Sequence, residues 1–289
     1  MRVTANQKID VFDKNNPPVL YCKDGDTVVF ETNDAFDGTV HYDGSMHQEN
    51  PYMRNPATGP VYIQGAEPGD TLCVEILNIT PNHYGVVGSA IGWYAFSHYE
   101  KDYSVHVFDY KDGYVDFYGK KLKANPMMGV MGVAPENETI RSVGAGTHGG
   151  NMDCTQVKQG AKVYFPVLVP GALFATGDMH IAMGEGEVVG YGVEASGEVT
   201  VKFTLIKGRT IERPLICVDD KFMVIASEDT LDKASTEAVR YLHRLLLEGG
   251  WSVSEAAMLM SLKCDLTVCQ FVGSLNTVRA VIDADLMKK

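Results

Sequence analysis

Glycine and proline recur so closely up to about residue 230 that they divide this part of the chain into short segments, and this punctuation constrains the fold more than any other feature. Between the breaks the segments alternate apolar and polar residues with a period of two, the signature of half-buried strands. Residues 199–205 are the cleanest case: Val199, Val201, Phe203 and Leu205 face one way, and Thr200, Lys202 and Thr204 the other. A turn-plus-strand unit recurs at 24–31, at 68–75 and more loosely at 159–165. In the second copy Pro68 presets the first central torsion of a turn and Gly69 accepts the positive φ that follows. Such repetition predicts an antiparallel sandwich or barrel-like body rather than a βαβ sheet.

Helical periodicity comes late. Residues 231–248 place Ala234, Ala238, Leu242 and Leu245 on one face and stop at Gly249-Gly250, and Ser252 with Glu255 forms a capping box opening a second helix through Leu262. Strand character returns over 265–272. The expected class is therefore mainly β, a β-rich α+β fold with two late helices. It is read as one domain over 1–289: a β-rich body over about 1–226, a helical addition over about 231–262 and a closing strand region over 265–289.

A chain of 289 residues with 45% hydrophobic and 21% charged residues is an ordinary globular one. At this length it buries roughly 70 to 75% of its unfolded surface and needs neither disulfides nor a metal merely to fold, so any metal calls for a functional explanation. The net charge of −12, without any Lys/Arg-rich run, speaks against nucleic acid and anionic membranes as partners and suits neutral ligands or metal ions. The six cysteines include no C-x-x-C pair, which implies a reducing compartment. Polar residues at Asn6, Gln7, Lys8 and Asp10 replace the apolar core of a signal peptide, and no run of 18 apolar residues exists, so a cytoplasmic location is expected.

No P-loop, dinucleotide fingerprint, H-E-x-x-H or G-x-S-x-G motif is present, and Gly184-Glu185-Gly186 is only a fragment of a glycine pattern. Ionisable residues instead gather in glycine-rich stretches. One runs from Thr147 to Asp153 and contains His148 and Asn151; another runs from Gly177 to Glu187 and contains Asp178 and His180. In an extended backbone Asp178 and His180 face the same side, as two ligands of one ion would, and carboxylate plus imidazole is a usual donor set for zinc or a related divalent ion. A surface aspartate beside a hydrogen-bonded core-edge histidine is the plainer account of an isolated D-x-H. A third cluster, Glu31, Asp34 and Asp37, lies at the end of a predicted strand and needs either solvent or a cation to relieve its repulsion. Cys154 beside Asp153 reads as a buried thiol more readily than as a nucleophile, and the aromatic segment Trp93, Tyr94 and Phe96 as core or interface.

Several blocks closely resemble the acetamidase/formamidase family. They are 149–153, 168–180 and 184–188, together with 31–36, the turn at 65–72, 129–135 and the closing Thr277-Val278-Arg279, collinear from about Asp24 to Arg279. The resemblance implies a β-rich body with helical additions, a divalent-metal site, hydrolysis of simple amides such as formamide and acetamide, and assembly as homodimers or larger. The family often has Gln-Gly-Asp-Gly-Glu where this chain has Met183-Gly184-Glu185-Gly186-Glu187.

On this reading Asp178 and His180 bind the metal, zinc or alternatively calcium, joined by Asp34, Asp153 and His148. Glu187 shuttles the proton, with Glu31 as a further acidic residue of the site and Asn151 as a donor to a developing oxyanion. Two rivals stay open: a metal-independent carboxylate pair, as in glycoside hydrolysis, and a non-catalytic oligomeric β-rich protein with a structural calcium.

Overall fold

The computed structural model describes residues 1–46, 54–89, 99 and 104–289; the aromatic segment Trp93, Tyr94 and Phe96 lies outside them. The three turn-plus-strand units become Thr27–Thr32, Thr71–Pro81 and Lys162–Pro166, all in one sheet, with Gly25, Gly69 and Gly160 at φ of 85°, 98° and 88° in the turns that launch them. That sheet has nine strands, in the order Arg2–Val3, Thr27–Thr32, Gly197–Ile206, Thr71–Pro81, Lys162–Pro166, Leu215–Val218, Lys221–Glu228, Asn276–Asp283 and Asp265–Gln270. Apart from the parallel first pair, every neighbour is antiparallel.

A second sheet of twelve strands is built around Phe174–His180, which pairs with Met127–Gly132, Ala57–Ile63 and Glu194–Ala195. The two sheets stack like a sandwich and neither closes into a barrel. The alternation of 199–205 supplies one wall of the core between them: Val199, Val201 and Phe203 are fully buried. Phe203 and Phe30 of the first sheet meet Phe174 of the second with ring centroids 5.2 and 5.7 Å apart. Burying each such side chain stabilises the fold by about 1.5–3 kcal/mol.

The helices form where the period predicts. α1 (Leu231–Glu248) is capped by Thr230, whose side chain accepts from the Lys233 amide; α2 (Val253–Lys263) opens with the reciprocal Ser252–Glu255 box. Ala234, Ala238, Leu242 and Leu245 of α1 are buried, and Ala238, Leu242 and Leu245 pack with Val224, Ala226, Ala280 and Ile282 on the outer face of the nine-stranded sheet. The strand Lys221–Glu228 thus has two dry faces: Met223 and Ile225 enter the inter-sheet core while Val224 and Ala226 meet the helices. No helix among the described residues is long and apolar enough to cross a membrane.

Candidate metal centre

The strand Phe174–His180 is buried along its whole length. Its ladder to Met127–Gly132 runs in register on both sides of Asp178, but the position opposite, Gly129, drops out of the pairing. Asp178 has φ of 54°, a left-handed conformation that aspartate tolerates better than most residues. This kink turns its carboxylate toward the imidazole two residues on: His180 Nε2 lies 3.5 Å from Asp178 Oδ1. A Cβ at Gly129 would come 2.5 Å from Asp153 Oδ1 and 2.6 Å from Asp178 Oδ2, so glycine there leaves the space those carboxylates occupy.

Two groups of donors converge, Asp153 with His180 and Glu187, and Asp178 with His180 and Glu194; within each group the ligand atoms lie within 4.8 Å of one another. All five residues are buried. Glu194 Oε2 is 3.1 Å from His180 Nε2, and Glu194 Oε1 accepts the Gly192 amide at 2.8 Å.

Two carboxamides decide which oxygens stay open. Carboxylates only accept, so Asn151 must turn its NH2 toward Asp153, and it donates to Asp153 Oδ2 at 2.6 Å. Its oxygen then faces Asn55, whose Nδ2 donates both to Asn151 Oδ1 at 3.1 Å and to Asp178 Oδ2 at 2.9 Å. One oxygen of each aspartate is consumed. Asp153 Oδ1, Asp178 Oδ1, Glu194 Oε2 and both nitrogens of His180 are left buried without a well-directed hydrogen bond among the described residues, His180 Nε2 meeting Asp178 Oδ1 and Glu194 Oε2 only as close charge contacts. Orphaned acceptors of this kind are costly unless something positive sits among them. The donor set, oxygen and imidazole nitrogen, fits a divalent cation such as zinc.

The electrostatics agree. Burial first, and then the neighbouring acids, push the Asp153 and Glu187 carboxyls well above the usual range, and Glu194 is pushed up to about 7. Burial works against a charged His180, but Glu194 and Asp178 outweigh it and hold the imidazolium form well past its ordinary range. Without a cation, protons must supply the missing positive charge.

The other residues singled out in the sequence are distributed differently. Asp34 is buried, but its Oδ1 is occupied by the amides of Phe36 and Gly38 at 2.9 and 3.1 Å, and burial raises its pKa. His148 is buried edge-on to Phe12 at 5.1 Å, with burial pushing its pKa down to about 4 and neither nitrogen hydrogen-bonded among the described residues. Neither belongs to the two donor groups. The Glu31 carboxylate is half-exposed and pairs with Arg2 at 2.6 Å. Asn151 reaches the cluster through Asp153.

Glu185 and Glu187, two residues apart as strand neighbours on one face would be, are not in a strand. They lie in a turn, Glu187 with φ of 46° in the cluster and Glu185 paired with Arg279. The sequence reading missed Glu194 and Asn55. Glu194 sits in a strand of only two residues, too short for alternation to register, and Asn55 offers no local pattern beyond preceding a proline.

The profile of the acetamidase/formamidase family matches residues 4–145 and 136–276. The chain belongs to that family. An acetamidase from Bacillus halodurans superposes with a TM-score of 0.93 at 39% identity, covering 98% of this chain and 97% of that one. A predicted acetamidase/formamidase from Thermoanaerobacter tengcongensis gives 0.94 at 36% identity over 97% and 94% of the two chains. A Schizosaccharomyces pombe protein that carries a formamidase name is 27% identical over 248 residues, 64% of this chain and 60% of that protein. This chain therefore spans less than two thirds of the fungal relative's length. Against the Bacillus fold it is matched almost end to end, and the strands that carry the cluster lie inside the family profile.

Proposed function

We propose that this chain hydrolyses a simple primary amide of the formamide or acetamide type to carboxylate and ammonia, with a divalent cation, zinc, held by Asp153, Asp178, His180 and Glu194. The observation that carries the reading is the set of buried acceptor atoms on these residues that hydrogen bonding leaves open. Family membership and the names of the acetamidase and formamidase relatives support the substrate class.

An unactivated amide resists water because its carbonyl is resonance-stabilised and its amine leaves poorly. A bound divalent ion supplies Lewis acidity and makes water near it easier to ionise. The residues do the rest. Asn55 and Asn151 fix the two aspartates so that one oxygen of each points into the cluster. Glu187 takes the proton of the attacking water as the new C–O bond forms, then gives it to the nitrogen as the C–N bond breaks. Such proton transfer is worth roughly 10² to 10⁴-fold. In the metal-free cluster its buried site next to Asp153 favours the protonated form; beside a bound cation the carboxylate that the first step needs is favoured, and burial then favours holding the proton for the second. Asn151 has its amide group turned to Asp153, so we assign it an orienting role in place of donation to an oxyanion.

The reading includes a reducing, cytoplasmic compartment, consistent with six free cysteines, and assembly as a homodimer or larger. Its test is elemental analysis of the purified protein together with ammonia release from formamide, acetamide and longer amides, before and after chelation. Zinc at stoichiometric level and chelator-sensitive ammonia release are expected. Chelator-insensitive hydrolysis, or metal loss that lowers stability with no amide ever cleaved, would overturn it. His180→Ala should remove metal and turnover together, whereas Glu187→Gln should keep metal and lose turnover.

A further inference from the structure

We infer that Arg279 and Glu185 are positioning residues: their ion pair brackets the two loops that deliver Asp153 and Glu187 to His180. The inference rests on the functional reading above for its consequences, but on geometry for its substance.

Arg279 belongs to the strand Asn276–Asp283 of the nine-stranded sheet and is only 6% exposed. Its guanidinium grips Glu185 with both arms, Nη1 donating to Oε2 at 2.8 Å and Nη2 to Oε1 at 2.6 Å. Glu185 Oε1 also accepts from Thr155 Oγ1 at 2.8 Å. Thr155 lies two residues after Asp153, and Glu185 two residues before Glu187. One carboxylate thus ties the loop carrying Asp153 and the turn carrying Glu187 to the same guanidinium. The intervening Gly186 is fastened to the same sheet, its amide donating to Cys269 O at 3.1 Å. Beneath the fork, Arg279 Nη1 lies 3.9 Å from Cys154 Sγ and 3.7 Å from Cys269 Sγ, so buried thiols pack against its other side.

Glu187 needs such a tether. At φ of 46° its backbone sits where glutamate rarely stays by local preference, and apart from the single Gly186–Gln270 bridge the turn belongs to no strand or helix. Because the Glu185 side chain is 43% exposed, its charge attraction to Arg279 is weakened by water, and the pair's main effect is directional. A planar fork on a carboxylate fixes orientation as well as distance, which lysine cannot do. Neither residue is among the converging donors of the cluster, so both act through Glu187 and Asp153.

The experiment compares wild type with Arg279→Met, Arg279→Lys, Glu185→Ala and the Arg279→Met/Glu185→Ala double variant. Zinc affinity is measured by competition with a chelator, kcat and KM on acetamide, melting temperature after chelation, and crystal structures of wild type and variants. Each single variant should lose about 10- to 100-fold in zinc affinity or in kcat, with KM unchanged. The double variant should lose no more than the worse single one, because both remove the same bracket. Arg279→Lys should recover melting temperature without recovering zinc affinity. In the crystal structures Glu187 should move by about 1 Å or more relative to His180, a displacement large enough to cost such factors.

A variant that melts lower yet binds zinc and turns over like wild type would show a merely structural pair and overturn the inference, as would Glu187 found unmoved. Should Arg279→Met fail to fold, Glu185→Ala at its half-exposed position tests the same bracket. If wild type itself binds no zinc and releases no ammonia, the functional reading falls, while the position of Glu187 in the variant crystals still decides the bracket.

Discussion

At Gly129 one methyl group is enough to disturb the cluster, because the space it needs is held by oxygens of Asp153 and Asp178 at 2.5 and 2.6 Å. Both carboxylates are buried and cannot swing into solvent. Gly129→Ala should therefore lower metal content and turnover together, checked by elemental analysis and ammonia release on the same sample. Asn55→Leu makes a different prediction: with the Asn55 amide gone, Asp178 Oδ2 loses a donor, and zinc affinity should fall about 10- to 100-fold as measured by chelator competition. At this scale the sequence was legible where two residues of the cluster lie two apart, as Asp178 and His180 do. It was illegible where an approach depends on a turn. Glu185 and Glu187 look equivalent in sequence, yet a left-handed torsion at Glu187 sends them to different partners. Glu31 and Asp34 look like one acidic cluster with Asp37, yet Glu31 is drawn to Arg2 at the surface and Asp34 caps its own turn.

Among the elements, those with a strong period or a capping signal were legible. The alternation at 199–205 marks the strand Gly197–Ile206, and Ser252 with Glu255 marks the start of α2. The box is testable: Ser252→Ala removes a hydroxyl that accepts the Glu255 amide and should cost about 1 kcal/mol in urea denaturation, leaving metal content unchanged. The strand Lys221–Glu228 was harder to read for a physical reason. With a sheet on one side and α1 on the other it buries residues on both faces, so its run of apolar side chains carries no alternation. Very short strands such as Glu194–Ala195 exist only because neighbouring strands hold them, and nothing local announces them.

For the molecule as a whole, the cluster makes the metal-free fold respond to pH. Glu194, with an ordinary value of 4.5, is pushed up to about 7 in the fold, and Asp153 and Glu187 are raised in the same direction. A raised folded-state pKa contributes stability that is complete below the unfolded value and is lost as pH rises through the folded one. His148, lowered from 6.5 to about 4, acts with the opposite sign, but only below its unfolded value. Above pH 6.5 the three raised carboxyls and the raised His180 outnumber the one buried thiol of opposite sign, Cys154, lowered from 9.0 to about 7. The melting temperature of chelated protein should fall between about pH 6.5 and 8, and saturating zinc should remove that fall; a flat profile after chelation would refute it. The repeated turn-plus-strand units point to an antiparallel body, sandwich or barrel, and the structure is the sandwich. Which strands of the two sheets would meet at the cluster was not legible, because that depends on long-range pairing with no local cost or reward.

Asn55, Asp153, Asp178 and Glu187 all hold left-handed backbone torsions, and all four crowd polar atoms into a buried interior. Glycine would occupy such torsions freely, with no carboxyl to desolvate. Selection for robustness alone would therefore erode this centre: Glu187→Gly should yield a chelated protein that survives heating better than its parent while converting no amide. On the proposed function, these four positions give up sturdiness for reactive side chains held where backbone preference would not put them.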